Sequence, residues 1–417
     1  MGAAEGTSVV KALGRSPHGL DVAGLVALFA SALALRPQLV GVGPLLERIQ
    51  ADLHVPHAVL GLLVTIPVLC MGAFAPAAPF IAARLGPRVG MLACLALIAT
   101  TGLARAAAPN LVVLLTATFL VGVGLGVAGA VLPSAVKAGF PTRPAFATGV
   151  YASGIQLGAA LAAVSAAPLA IGSGWRFPLA VFSVATLVPL VCWWLMAPKP
   201  SPGARRPPRV AHAPYRRPIV WWLAAVFALQ AIPYYGLNAW LPAYLSERQW
   251  AETTAGGVLA LVNACGLVGS LAVPWVADRM QSRRVLLAGS AALLGAAIVG
   301  MLVGPAAAWV WSGLAGFGLG ALFPLALTLP LDVSDTPEEA GAVAGVMLLA
   351  GYLISAFAPT LLGFVRDLTH GFGIALGLLA ANCLALMIAS WPLSRRRLQR
   401  GDVRQLSPLA DRGLRPE

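Results

Sequence analysis

Twelve apolar runs, each long enough to cross a bilayer, constrain this chain more than any other feature. They fall at about 20–46, 58–82, 89–107, 111–136, 144–170, 177–196, 218–245, 254–277, 285–304, 308–331, 341–364 and 373–393. An apolar run of about 18 residues or more is read as a transmembrane helix, because lipid leaves every backbone polar group to be satisfied within the segment. Hydrophobic residues make up 59% of the chain against 10% charged, with a mean hydropathy of +0.84. That composition excludes a soluble multidomain protein. Most turns between runs are short, so consecutive helices must be antiparallel neighbours. The exception is 197–217, rich in Pro and Arg, which reads as a solvated linker. The expected fold is an all-α integral membrane protein with twelve transmembrane helices in two pseudo-symmetric six-helix bundles. Its expected parts are a cytoplasmic segment 1–19, bundles 20–196 and 218–393 joined by the cytoplasmic linker 197–217, and a basic cytoplasmic tail 394–417.

The net charge of +13 reports topology rather than nucleic acid. Of 28 Lys and Arg, 22 lie in the N-terminal segment, the even-numbered turns and the tail. Five fall at odd-numbered turns (Arg48, Arg105, Arg176, Arg248, Arg366), and the last is Arg36. By the positive-inside rule both termini are cytoplasmic, in a multi-pass protein of the bacterial inner membrane. Polar Met1–Gly19 leads into a span too long for a signal h-region, so no cleavable signal is expected. The five cysteines sit in apolar runs without CxxC spacing and read as packing residues.

The two halves repeat. Pro79-Phe-Ile-Ala-Ala83-Arg84-Leu-Gly86-Pro87-Arg88 follows span two, and Pro274-Trp-Val-Ala-Asp278-Arg279-Met-Gln-Ser-Arg283 follows span eight. Gly122-Val-Gly124-Leu-Gly126 in span four is matched by Gly316-Phe-Gly318-Leu-Gly320 in span ten. Pro44 near the end of span one is matched by Pro242 in span seven. All three landmarks share an offset of 194 to 198 residues. A duplicated six-helix unit with a central site between its copies follows from that order.

Arg36 is the one formally charged residue that this span assignment puts well inside the membrane. A guanidinium keeps its proton, and at the bilayer centre it costs about 2.5–3.5 kcal/mol or more. No Asp or Glu lies in a span at comparable depth, so the simplest partner is an anion that arrives and leaves. Pro37 removes a helical hydrogen bond beside the charge, a break tolerated where it lines a cavity. Snorkelling is the competing explanation, but Arg36 lies roughly 15 Å from the outer end of its run at about 1.5 Å per residue. Tyr234 in span seven stands roughly where Arg36 stands in span one. Tyr234 and Asn238 share a helix face, with Tyr235 beside them. Gln156, Asn263 and Tyr352 are further candidates, each also explicable as interhelical glue. Tyr244 reads equally well as an interfacial belt residue.

Other patterns carry less. Gly124-Leu-Gly126-Val-Ala-Gly129 has the GxGxxG form, but no strand precedes it and no acidic residue follows at the required distance, so a dinucleotide site is rejected. Gly122-xxx-Gly126 and Gly316-xxx-Gly320 read as close helix contacts. His54-Val-Pro-His57 is placed in a solvated outer loop with only Asp52 near it, and no metal is expected there. No nucleophile–base set, carboxylate pair or metal cluster occurs in the membrane, so neither an enzyme nor a cofactor is expected.

In their ordered set these residues resemble the major facilitator superfamily. The turns after spans two and eight resemble its signature loop in degenerate form, with Ala83 at the Asp position and Pro79 and Pro274 at Gly positions. The closer likeness is to its cyanate permease and 2-nitroimidazole transporter branch. It rests on Leu35-Arg36-Pro37 with Gly43-Pro44-Leu45, Thr65-Ile-Pro67-Val68, Gly149-Val-Tyr151, Tyr235-Gly-Leu-Asn-Ala-Trp240-Leu241-Pro242, Phe323-Pro324-Leu325, and Gly351-Tyr352 with Pro359. The resemblance implies the major facilitator fold and adds Tyr151 to the candidate cargo contacts. It also implies a cytoplasmic gating role for Arg84, Arg88, Asp278, Arg279 and Arg283.

The expected function is transport of a small anion or weak organic acid by alternating access, with protons as a candidate co-substrate and a monomer as the expected unit. Efflux of neutral aromatic or drug-like cargo, held by Trp240, Phe29 and the tyrosines, is the rival. A membrane sensor or scaffold is disfavoured, since no sizeable soluble output domain is legible.

Overall fold

A computed structural model describes residues 22–74, 78–140, 144–197, 214–280, 283–334 and 337–393. Among them, twelve helical spans are long and apolar enough to cross a membrane. They are labelled in chain order: α1 Val22–Leu53, α2 His57–Phe74, α3 Gly86–Ala106, α4 Leu111–Pro133, α5 Ala147–Ala170 and α6 Arg176–Met196, then α7 Pro218–Ser246, α8 Glu252–Val273, α9 Arg283–Val303, α10 Pro305–Pro330, α11 Glu339–Thr369 and α12 Phe372–Ser390. Large apolar side chains such as Leu195, Val310 and Ile388 stay exposed on the outside of the bundle, where lipid would cover them. The expected all-α class holds.

Span α1 is not one helix. It runs Val22–Leu35, breaks at Arg36, resumes over Pro37–Val40, passes through a 3-10 turn at Gly43–Leu45 and ends as Leu46–Leu53. Pro37 at the first position of the second piece explains the break, because its ring removes a donor and fixes φ. Spans α6 and α11 are also interrupted, at Thr186 and at Ala356–Phe357.

The repeated glycines set the frame. A Cβ on Gly122 or Gly126 would lie 2.8 Å from Pro67 Cα and 2.5 Å from Cys70 O on α2, and one on Gly124 would lie 2.6 Å from Ile98 of α3. In the second half, Gly316 and Gly320 approach Val262 O and Gly266 O of α8 to 2.1 and 1.8 Å on the same measure, and Gly318 approaches Ser290 O of α9 to 3.0 Å. Each triad thus presses its outer pair on one helix and its middle member on another. Except at Gly124, where the neighbour is the Ile98 side chain, these are backbone approaches with no room for a Cβ.

The turns that follow odd-numbered spans share one end of the bundle, called here the odd-turn end. There the two halves meet. The contact runs inward from that end as far as Thr65, midway along α2, whose Oγ1 lies 2.8 Å from Thr360 Oγ1. Arg48 Nε donates to Glu252 Oε2 at 2.6 Å, and its Nη1 donates to Ala170 O at 3.2 Å. His57 departs from expectation. It is 1% exposed, opens α2, and its Nδ1 sits 2.8 Å from Asp367 Oδ1, with Glu47 3.5 Å from Nε2. The solvated-loop expectation is therefore wrong for His57. It fails because Asp367 arrives from 310 residues away, while Glu47 reaches back from the last helical piece of α1.

Candidate functional site

Arg36 stands at the α1 break with its own carbonyl accepting from Leu39 N at 3.0 Å and Val40 N at 2.9 Å. Its guanidinium carbon lies 5.2 Å from the centre of the Tyr234 ring, a cation–π arrangement across the two halves. Tyr235 and Tyr352 face the same group, and among the described residues no carboxylate does. Arg36 Nη1 and Tyr234 Oη are both buried with no hydrogen-bond partner. One of these orphaned atoms is donor-only, and the other can donate or accept. Such groups are normally satisfied, and each costs about 1–3 kcal/mol when left unmade.

The rings continue outward from the charge. Tyr234 and Tyr235 meet edge-on at 5.2 Å, Tyr235 lies 6.5 Å from Tyr352, and Tyr352 meets Phe227 at 5.1 Å. Tyr151 of α5 lies near Tyr352 from the first half. Arg36, Tyr151, Tyr234, Tyr235 and Tyr352 therefore come together as one cluster drawn from α1, α5, α7 and α11.

The amides do not join it in the same way. Asn238 donates to Tyr234 O at 2.8 Å, while Asn263 Nδ2 donates to Asn238 Oδ1 at 3.0 Å and to Leu259 O at 3.1 Å. Both are buried, and they tie α7 to α8 beside the α1 turn. There a Cβ on Gly43 would lie 2.1 Å from Asn238 O. Gln156 packs its amide over Gly266, between α5 and α8. Trp240 is no cargo contact here: its indole donates to Pro359 O at 2.7 Å, and its ring stacks with His57 and Phe372 at the odd-turn end. Tyr244 is fully buried and donates to Met301 O, so it is not an interfacial belt residue.

The signature-loop residues bond within their own halves. Arg88 donates to Trp194 O, and its carbonyl accepts from the Trp193 indole at 3.1 Å. Arg283 pairs with Asp332 at 2.7 Å and bonds Thr328 O. Arg84 is exposed. The side chains of Asp278, Arg279, Pro79, Ala83 and Pro274 lie outside the described residues.

Sequence reasoning also missed a second interior charge. Arg105 was expected at an outer turn, with Arg36 the one charge inside. Instead Arg105 is 1% exposed, and its two terminal nitrogens donate to Gln38 O at 3.0 Å and Gln38 Oε1 at 2.8 Å. The only local signal was Gly102, one turn earlier, which leaves room for that reach.

Helices, break and duplicated frame together define a transporter of the Major Facilitator Superfamily. The family's model matches residues 22–359, and the chain belongs to that family; it is a multi-pass membrane transporter of small molecules and not an enzyme. The chain is 31% identical over 370 residues to the cyanate transport protein CynX of Escherichia coli (strain K12), covering 87% of this chain and 95% of that one. It is 29% identical over 369 residues to the 2-nitroimidazole transporter of the same organism, covering 88% and 93%. A bacterial homologue of the human lysosomal transporter Spinster, solved in an inward-facing and unoccupied conformation, shares the fold with a TM-score of 0.77 at 16% identity, covering 91% of this chain and 98% of that one.

Proposed function

We propose that this transporter carries a small anion or weak organic acid, cyanate-like or a carboxylate, across the bacterial inner membrane by alternating access, with Arg36 gripping the anion. The observation that carries this is the buried, partnerless Nη1 of Arg36, beside three tyrosines and, among the described residues, no carboxylate. An anion would supply the missing acceptor, and the planar guanidinium presents paired donors to it. Tyr234, whose hydroxyl is equally unpartnered, is the natural second contact, with Tyr151, Tyr235 and Tyr352 shaping the wall. Asn238, Asn263 and Gln156 line the seams around it. Relatives named for cyanate and for nitrate/nitrite support an anionic cargo.

The halves 20–196 and 218–393 rock about this cluster as a monomer. The positive-inside bias puts both termini in the cytoplasm, so the joined odd-turn end faces outward. Arg84, Arg88, Asp278, Arg279 and Arg283 then lie at the cytoplasmic gate. Among the described residues no carboxylate or histidine faces Arg36, so any co-transported proton would ride on the cargo.

One observation favours a second cargo class. The rings of Tyr234, Tyr235, Tyr352 and Phe227 form a continuous aromatic surface that suits a neutral aromatic compound in efflux.

Thermal stabilisation separates the two. A ligand that binds the native state raises the melting temperature by mass action. Cyanate, nitrate, formate and benzoate are titrated against purified wild type and Arg36→Ala. Stabilisation of wild type alone supports the anion site. If only 2-nitroimidazole and other neutral aromatics stabilise, and equally in both proteins, Arg36 is structural and the efflux class takes over.

A further inference from the structure

Arg105 carries a permanent charge into the bundle. Among the described residues it enters no ion pair, and its Nε has no partner. It lies one residue before the end of α3, and helical side chains lean toward the helix N-terminus, so this one runs back into the membrane. What it grips is a single residue, Gln38, by main-chain and side-chain oxygens together. Gln38 passes the chain on: its Nε2 donates to Ser183 Oγ at 3.3 Å, and Ser183 donates to Leu179 O at 2.6 Å on α6. Two glycines make room. A Cβ on Gly102 would lie 2.3 Å from Ser183 Oγ, and one on Gly41 would lie 2.5 Å from the Phe182 ring.

Gln38 sits in the four-residue helix Pro37–Val40, two positions after Arg36. At about 100° per residue, two positions turn a helix by roughly 200°, so the two side chains leave on opposite faces. Gln38 faces α3 and α6, and Arg36 faces Tyr234 of α7. Pro37 has no N–H, so the angle between Val22–Leu35 and Pro37–Val40 lacks the donor an ordinary residue would place there. The hold comes from behind.

We propose that Arg105 is a positioning residue for cargo binding: by clasping Gln38 it fixes the α1 break, and so the direction in which Arg36 presents its guanidinium. A planar fork is needed, because only it fastens two oxygens of one residue in a set orientation; a lysine ammonium is a single point. The proposal rests on Arg36 as the anion contact.

The test is a double-mutant cycle on the full-length protein, with wild type, Arg36→Lys, Arg105→Lys and the pair, read by titrating cyanate, nitrate, formate and benzoate in the thermal assay. Arg105→Lys is expected to weaken anion binding about tenfold, on the scale of one charge-assisted hydrogen bond, and to cause no further loss in the Arg36→Lys background. Ser183→Ala removes the far end of the chain without touching a charge. It is expected to weaken binding about threefold, an ordinary neutral hydrogen bond's worth, and also to lose its effect beside Arg36→Lys. It serves if Arg105→Lys does not fold. Unchanged binding in both variants, or equal losses in both backgrounds, overturns the positioning role while leaving Arg36 in place. No stabilisation of wild type by any of the four, or full binding by Arg36→Lys, overturns the anion site and this proposal together.

Discussion

Asp367 caps, from the second half of the chain, the helix that begins at His57 in the first. Its Oδ1 accepts from His57 N at 3.2 Å and its Oδ2 from Ala58 N at 2.9 Å, while the His57 imidazole sits against the same carboxylate. The first amides of a helix have no partner within it and carry its positive end, so one side chain satisfies two orphan donors and a dipole at once. The contact exists only while the odd-turn end is joined.

Asp367→Ala should therefore loosen that end. Losing a cap costs about 0.5–2 kcal/mol, enough to shift a two-state equilibrium about tenfold. With the native cysteines replaced, Thr65→Cys should react several-fold faster with an impermeant maleimide when Asp367→Ala is added. Unaltered labelling would mean that Asp367 does not hold the halves together.

Arg48 and Glu252 join the halves in the same region, but both are partly exposed, with side chains 30% and 40% accessible. Exposed pairs contribute about 0–1 kcal/mol, so Glu252→Lys alone should speed the same labelling only a few-fold. Arg48→Glu with Glu252→Lys should return it toward the wild-type rate. Failure of the swap to rescue would assign the effect to something other than the pair.

Arg36→Lys should keep the charge and lose most uptake of the stabilising anion, since a point ammonium cannot reproduce the paired donors of the fork. Proteoliposome uptake at saturating and sub-saturating anion decides it. Full transport by Arg36→Ala would remove Arg36 from the site.

Gly320→Ala and Gly129→Ala make a matched test of the frame. At Gly320 the new methyl meets the Gly266 carbonyl, whereas at Gly129 nothing lies within 4 Å. Overpacking costs about 1–3 kcal/mol, and an unhindered helical Gly→Ala gains about 0.5–1 kcal/mol. The melting temperature should fall in the first variant and hold or rise in the second.

Much of the fold was legible because lipid demands it. Hydrophobic length puts Arg36 deep in its span, Pro37 marks the break beside it, and the repeat offset places Tyr234 opposite. The glycine triads too announced their contacts by spacing. What the sequence could not reveal were partners brought together by the tertiary fold. Asp367 looks like one more residue at a span end, and Arg105 looks like an ordinary turn arginine, until folding brings Gln38 beneath it. Trp240 was placed with the cargo because aromatic character carries no direction; its indole is taken by Pro359.

The glycine triads have a consequence for how such a protein can change. They hold the helices chiefly through backbone atoms, so the scaffold stores nothing about what is carried. In the proposed reading that information sits in a handful of side chains around Arg36. Mutation can rewrite those few positions without disturbing the architecture, while nearly any side chain gained at the triads is rejected. One framework can thus host carriers for chemically unlike cargoes, and descent from a common framework says far less about the freight than about the vehicle.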